Sequence, residues 1–466
     1  METTARMFRQ SDIRGAVPDD IDAAWAYRLG KTLAKTISVT SFGVGFDTRA
    51  TSPELAEALR LGLADQGGEV VDLGLCPTEV IAFAVASGQV AFGIMVTASH
   101  NPEPDNGFKL FPERQLEVAL KPLLASLRQA LTSYSDGFLA NRSQSPGRRL
   151  DLIPQYVEYV ANLVDLNWSN GAIALNGLNG TASLVAEPLA ERLGLTVQWC
   201  PQLTAGLPPE GPDPVKPRLL GQTGQFTQAL GAALGVAWDG DCDRCVFLDE
   251  HGNGVPSPYT MAMMADYFLA GSTDQHVVHD SKLVLSIEKA IKRHQAASTR
   301  VGTGSGHMRA AMQRTDAIYG GESSAHHYFG KIQGFDSGML SWLTMLDLLS
   351  KSDRPLSQLA SDYRSEVVVL PEISVGVDAP DRFLEALDAH LSPDLVKADF
   401  EVGRAYYLQD GIRFSLNPST TEPLMRLNFE STGSDEALLQ RAESILGVVW
   451  PYQNNPELAK PALVPA

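Results

Sequence analysis

The sequence predicts an α/β protein of three similar mixed α/β domains followed by a smaller C-terminal α+β domain. Three observations carry this. A strand, polar turn, helix, strand order recurs in three separate stretches. The pattern changes after about residue 366. The chain has 466 residues, 44% of them apolar, which at roughly 100–200 residues per domain suits three or four packed cores.

The first stretch is FGVGFDTRATSPELAEALRLGLADQGGEVVDLG. Residues 42–46 form an apolar strand that runs into a polar turn. Ser52 is placed to N-cap a helix with Pro53 at its first position. Leu55, Leu59 and Leu63 recur at helical spacing, Gly67 and Gly68 stop the helix, and Val70 and Val71 begin the next strand. In the second stretch, residues 173–175 are the strand, 176–180 the turn and 184–193 the helix. The third, HVVHDSKLVLSIEKAIKRHQAASTRVGTG, keeps the same order. This is the βαβ pattern of a parallel sheet.

Past residue 366 the elements are shorter. Strands are expected at 367–370, 413–416 and 424–429, with helices at 382–391 and 436–448. The domain limits read from these patterns are 1–151, 152–253, 254–365 and 366–453, with a Pro-rich tail at 454–466.

The formal charge of −18 makes nucleic acid and anionic membrane unfavourable partners. It also requires a local basic cleft around any small anionic substrate. The start METTARMFRQ has no apolar core of a secretory signal, and no run reaches the 18 apolar residues of a spanning helix. Four cysteines do not make a disulfide framework, so a reducing cytoplasm is expected.

The strongest local signal is VAWDGDCDRCVFLDEHG. An apolar strand ends at Trp238 and meets Asp239, Asp241 and Asp243, with Gly240 allowing a tight turn. At ~4 Å and an effective dielectric near 20, each carboxylate pair repels by about 4 kcal/mol. A hard cation such as Mg²⁺ removes that repulsion. The bland alternative is a solvated acidic turn; the buried character of the preceding strand argues against it. Cys242 and Cys245 form a CxxC inside this loop, which reads as incidental rather than as zinc or redox chemistry. GTGSG at 302–306 lacks dinucleotide-fingerprint spacing.

A second signal is IMVTASHNPEPDNGFKLF. The strand at 94–96 delivers Ser99 to a loop of small and turn-forming residues, and Lys109 follows. A serine needs a base or charged partner to act as a nucleophile, and there is no GxSxG elbow. Alone, this loop is ordinary turn chemistry.

Together TASHNP, DGDCDR, GGESSAH and PSTTEP resemble the α-D-phosphohexomutases, in order and across nearly the whole chain. The resemblance implies four domains around a central cleft. It also implies a phosphoserine at Ser99 that gives its phosphoryl group to a sugar monophosphate through a bound hexose 1,6-bisphosphate. It implies Mg²⁺ on Ser99, Asp239, Asp241 and Asp243, Lys109 as general acid/base, Arg14 and Arg244 on the transferring group, and His100 positioning it. Glu322, Ser324 and His326 are expected to read the sugar, with Lys282 and His307 as further anion contacts. Ser419, Thr420, Thr421, Arg426 and Asn417 are expected at the non-transferring phosphate. The AIYGGE-S-AHHYF and FDSGML wording is most similar to the bacterial phosphomannomutases. Phosphoglucomutase and phosphoglucosamine mutase are the alternatives, and a catalytically silent sugar-phosphate binder is a third. The implied partner is a small sugar phosphate, handled by a monomer or dimer.

Three positions depart from the family pattern. Asn417 stands where an Arg usually opens the phosphate loop. Ser11 stands where Tyr often precedes Asp-Ile-Arg. The segment after His307 is short and lacks its usual Lys, for which Arg309 is the available substitute. A neutral amide is a poorer phosphate partner than a guanidinium, so either a lower phosphate affinity or a compensating cation is expected at Asn417.

Overall fold

The computed structural model describes residues 7–9, 11–112, 120–132, 147–202, 205–271, 273–377, 380–418, 424–454 and 463–464. They form two compact units. One comprises Met1–Gly254, Gly304–Arg314 and Ala325–Pro355; the other comprises Val255–Thr303, Thr315–Ser324 and Leu356–Ala466. No helix among the described residues is long and apolar enough to cross a membrane.

The first unit opens with a sheet of β1 (Asp12–Ala16), β2 (Ser41–Phe46), β3 (Glu69–Leu75), β4 (Phe92–Val96), β5 (Asp105–Pro112) and β6 (Arg148–Arg149), in the order β1-β5-β4-β2-β3-β6. The β4-β2-β3-β6 part is parallel, and β5 runs antiparallel between β1 and β4. Helices Ala23–Thr36 and Ser52–Asp65 bury Leu29, Leu33, Leu55, Leu59 and Leu63 in the core of this sheet. They touch along glycines. A Cβ on Gly30 would lie 2.3 Å from the Leu59 carbonyl oxygen, and one on Gly62 would lie 2.0 Å from that of Tyr27.

One expected detail is corrected here. The cap of helix Ser52–Asp65 is Thr51, which makes no side-chain capping bond. Ser52 instead turns its hydroxyl onto the buried Asp47 carboxylate at 2.5 Å, a stronger partner than a backbone N–H.

The second sheet has the order β10-β9-β7-β8, built from β7 (Ile173–Asn176), β8 (Val197–Trp199), β9 (Leu234–Trp238) and β10 (Cys245–Leu248). Here β7, β8 and β9 are parallel, and β10 returns antiparallel to β9. The hairpin between β9 and β10 carries all three aspartates of the acidic loop.

In the second unit β11 (His276–Asp280) lies parallel to both β12 (Ala297–Val301) and β13 (Tyr319–Gly321). The first unit holds the short antiparallel pair β14 (His327–Phe329) and β15 (Phe335–Asp336). The C-terminal sheet, in the second unit, is antiparallel: β16 (Val368–Val369), β17 (Ile373–Gly376), β18 (Leu395–Asp399), β19 (Arg404–Leu408), β20 (Ile412–Pro418) and β21 (Leu424–Ser431). Helices Pro380–Leu391 and Asp435–Val449 bury Leu387, Leu391, Leu438 and Ile445 in its core. The strand expected at 367–370 is only two residues long.

Candidate active site

Ser99 follows the parallel strand β4, and Asp239 follows the parallel strand β9, so both stand past the carboxyl ends of strands, where α/β sheets place ligands. Ser99 is buried and takes a left-handed backbone conformation with φ of 54°. A non-glycine residue there is strained and is held by its surroundings.

Arg49, wholly buried, donates through Nη2 to the carbonyls of Ser99 at 2.8 Å and Asn101 at 2.7 Å. Its Nη1 donates to those of Pro102 at 2.8 Å and Asp105 at 2.9 Å. Asp47 balances its charge at 3.3 Å and accepts from the Thr97 hydroxyl at 2.6 Å. Thr97 Oγ1 in turn accepts from the Ser99 N–H at 2.8 Å. The serine arch is therefore fixed by one guanidinium and one carboxylate, neither singled out by the sequence patterns.

Ser99 Oγ donates to Asp239 Oδ2 at 2.8 Å and lies 3.1 Å from His100 Nδ1. Burial, reinforced by Arg244, Arg14 and Lys109, holds the His100 imidazole well below its usual pKa and therefore neutral. Arg14 pairs with Asp12 at 2.8 Å and donates to the Ala98 carbonyl at 3.0 Å and Asn101 Oδ1 at 2.8 Å. Arg244 gives its backbone N–H to Asp239 Oδ1 at 3.1 Å and brings Nη2 to 3.4 Å from His100 Nε2.

The three aspartates are buried, and each offers an oxygen within 4.8 Å of the others. Lys109 Nζ bonds Asp241 Oδ2 at 2.6 Å and also pairs with Asp243 Oδ2. Burial opposes the Lys109 charge, but Asp241 and Asp243 outweigh it, so its pKa is raised and it stays protonated. Asp239, by contrast, is pushed well up by burial and by the Asp243 and Asp241 charges. Burial also works against Asp243, yet Lys109 and His326 hold it well below the usual carboxylate range. Among the described residues, Asp241 Oδ1 is buried with no hydrogen-bond partner. An orphaned carboxylate oxygen among three converging carboxylates fits a divalent cation.

Several contributors were not apparent from local sequence. Thr78 donates its hydroxyl to Asp241 Oδ2 at 2.5 Å and its N–H to the Asp241 carbonyl at 3.0 Å. Glu79 lies next to it, buried, accepting from Ser337 Oγ at 2.5 Å. Asp336 forms a second acidic group with Asp243 and His326. His326 Nε2 is 3.2 Å from Asp243 Oδ1, so this residue, expected at the sugar, adjoins the acidic loop. Arg309 is buried with its guanidinium 5.0 Å from the Phe111 ring and 5.6 Å from the Phe335 ring. His307 is exposed on helix Ser305–Thr315.

The remaining expected residues belong to the second unit. Glu322 is buried just after β13. The neighbouring Ser323 gives its N–H to Asp280 Oδ2 at 3.0 Å and its hydroxyl to Asp280 Oδ1 at 2.9 Å, which fixes the loop carrying Ser324. Burial, then the Glu322 charge, pushes the Asp280 carboxyl up to about 7. Lys282 pairs with Glu372 at 2.9 Å, and Arg426 pairs with the same carboxylate at 2.9 Å. Asn417 on β20 is the direct cross-strand partner of Arg426 on β21. Ser419, Thr420 and Thr421 lie outside the described residues.

Comparison with known proteins gives the family of the chain. Three models of the phosphoglucomutase/phosphomannomutase alpha/beta/alpha domains match: domain I at residues 5–130, domain II at 154–252 and domain III at 256–366. The chain is 34% identical over 439 residues to a Xanthomonas campestris pv. campestris protein named for phosphohexose mutases, covering 94% of this chain and 97% of that one. It is 30% identical over 446 residues to the phosphomannomutase of Escherichia coli K12, covering 94% and 98%. The crystal structure of a phosphoglucomutase/phosphomannomutase family protein from Burkholderia thailandensis superposes with a TM-score of 0.80 at 25% identity, covering 97% of this chain and 99% of that one. With three domain models matched in succession and relatives at 30–34% identity covering the chain almost end to end, the protein belongs to the phosphoglucomutase/phosphomannomutase family.

Proposed function

We propose that the chain is a Mg²⁺-dependent phosphomannomutase that interconverts mannose 6-phosphate and mannose 1-phosphate through a phosphoserine at Ser99, with glucose phosphates as further substrates. The observation that carries this is Ser99 Oγ, held on a strained arch 2.8 Å from Asp239 in the acidic loop.

Phosphoryl transfer needs positioning and charge stabilisation more than covalent help from the protein. Arg49 and Thr97 position the serine. Ser99 Oγ, Asp239, Asp241 and Asp243 are the groups to hold Mg²⁺, which when bound supplies positive charge against the carboxylates and the transferring phosphoryl oxygens. Arg14 and Arg244 add fixed positive charge. In the first half-reaction a sugar hydroxyl oxygen bonds to phosphorus while the bond from phosphorus to Ser99 Oγ breaks. Lys109, beside Asp241 and Asp243, gives a proton to the freed serine oxygen. It recovers one from the sugar hydroxyl, whose proton leaves late in a loose transition state. The second half-reaction reverses these steps with the other phosphate, returning the phosphoryl group to Ser99.

Intact-mass spectrometry tests the reading. The purified chain should carry one added phosphate that Ser99→Ala lacks. A coupled assay on mannose 1-phosphate, primed with a hexose 1,6-bisphosphate, should show Mg²⁺-dependent turnover. Absence of turnover with every hexose phosphate would sink the proposal.

A further inference from the structure

Lys282 and Arg426 are both held by one carboxylate. Glu372 Oε2 accepts from Lys282 Nζ and Oε1 from Arg426 Nη1, each at 2.9 Å. The register explains how the three meet. Glu372 immediately precedes β17, in which Ser374 pairs with Arg426 on β21, so Glu372 is the diagonal neighbour of Arg426 on the same face. Lys282 comes from the loop after β11. Its carbonyl is pinned by Arg413 Nη1 at 2.7 Å and Ser415 Oγ at 2.9 Å. Arg413 is itself buried and paired with Glu430 at 2.5 Å. Glu430 also accepts the N–H groups of Val284 at 2.9 Å and Leu285 at 2.9 Å, at the start of helix Leu285–Arg293. The backbone that carries Lys282 is therefore fixed from β20 and β21.

A carboxylate that offers one oxygen to each of two cations makes the same pattern as two oxygens of a phosphate. Asn417, directly across from Arg426, brings no charge of its own. The three side chains together carry two positive charges and one negative.

We propose that Glu372 is an internal stand-in for a phosphate: it holds Lys282 and Arg426 until the non-transferring phosphate of the sugar displaces it. The proposal rests on the mutase reading for its substrate. In the Arg426–Glu372 pair the two side chains are 32% and 29% exposed, and an ion pair so placed is worth little on its own, so a dianion making stronger charge-assisted bonds can replace it there. Glu372 thereby weakens binding of the sugar phosphate and speeds its release.

The test is calorimetric titration of inorganic phosphate into the full chain and into Glu372→Gln, alongside kinetics on mannose 1-phosphate. A unit charge and a dianion about 6 Å apart in water repel enough to change affinity about tenfold. Glu372→Gln should therefore bind phosphate about tenfold tighter and lower KM in proportion. Glu372→Asp keeps the charge but gives up reach to one cation, and should tighten binding by less. It also serves if the amide variant does not fold. Unchanged or weaker phosphate binding by Glu372→Gln overturns the proposal and makes Glu372 a strut. No phosphate binding by either protein overturns it too. Tighter phosphate binding without mutase turnover would fail the substrate reading while leaving the stand-in intact. Turnover without tightening would do the reverse.

Discussion

Replacing Arg49 with methionine removes the guanidinium under the serine arch while roughly preserving side-chain length. The side chain is buried, and it serves four backbone carbonyls at 2.7–2.9 Å besides its ion pair with Asp47. Hydrogen bonds from a charged group contribute about 1.5–3 kcal/mol each, though not additively. Breaking a buried pair and stranding its partner costs about 3–5 kcal/mol. Some carbonyls will rebond to water, so the expected loss of folding stability is about 4 kcal/mol. The freed arch should relax from the φ of 54° at Ser99, carrying Oγ away from Asp239. A displacement of about 1 Å at a reacting group lowers rate by roughly a hundredfold. Urea unfolding reads the first effect, and the rate of phosphoserine turnover on a hexose bisphosphate reads the second. Arg49→Lys should fall between, keeping charge but lacking the donors for four carbonyls. A methionine variant destabilised by less than about 1 kcal/mol, with an unchanged transfer rate, would refute the reasoning.

Other perturbations have equally definite outcomes. Burial lifts the Glu79 carboxyl to about 8, so the folded chain keeps a proton that the unfolded chain has lost. Its stabilisation is full below the unfolded value near 4.5 and lost as pH rises through 8, with a slope of up to about 1.4 kcal/mol per pH unit; Glu79→Gln should remove that slope in denaturation curves at pH 5 to 8. Gly30→Ala forces a methyl group to within 2.3 Å of a backbone oxygen and should lower stability by more than about 2 kcal/mol in thermal melts. Mg²⁺ at a hundredfold excess over its Kd should stabilise the chain by about 2.7 kcal/mol, and Asp241→Asn should abolish that response; an equal shift in the variant would remove Asp241 from the metal site.

The parts of the fold written in local periodicity were legible. Strand, turn and helix order predicted the sheets, and the apolar run ending at Trp238 placed the three aspartates at a strand terminus. Ser99 and Lys109 stand close together in sequence because β4 and β5 are adjacent antiparallel strands, with Met95 opposite Lys109. What local reading cannot supply is pairing between distant segments. Arg49 follows strand β2 just as Asp239 follows β9, but nothing near it announces that the guanidinium reaches four carbonyls beyond residue 98. Thr78 and Asp241 are separated by 163 residues. Asp336 could have been suspected from an acidic residue in FDSG, yet its neighbours Asp243 and His326 come from two other segments. The cross-strand pairing of Asn417 and Arg426, and the carboxylate of Glu372 between Arg426 and Lys282, depend on register, which alternation of side chains does not fix by itself. The Ser52 cap failed for the same reason, because a buried carboxylate five residues away competed for its hydroxyl.

The division of labour around Thr78 has a consequence for the order of events during synthesis. The groups that hold the backbone of the serine arch, Arg14, Asp47, Arg49 and Thr97, all precede Ser99 in the chain. The groups that answer Asp241 are Thr78, at the start of helix Thr78–Ala86, and Lys109 on β5, and both also come early in the chain. Domains tend to fold as units, the N-terminal one first, as the chain emerges. The hydroxyl and the ammonium therefore leave the ribosome before the acidic hairpin does. Three crowded carboxylates then have a ready-made electrostatic seat to dock against, and the chain writes the counter-charge before it writes the charge.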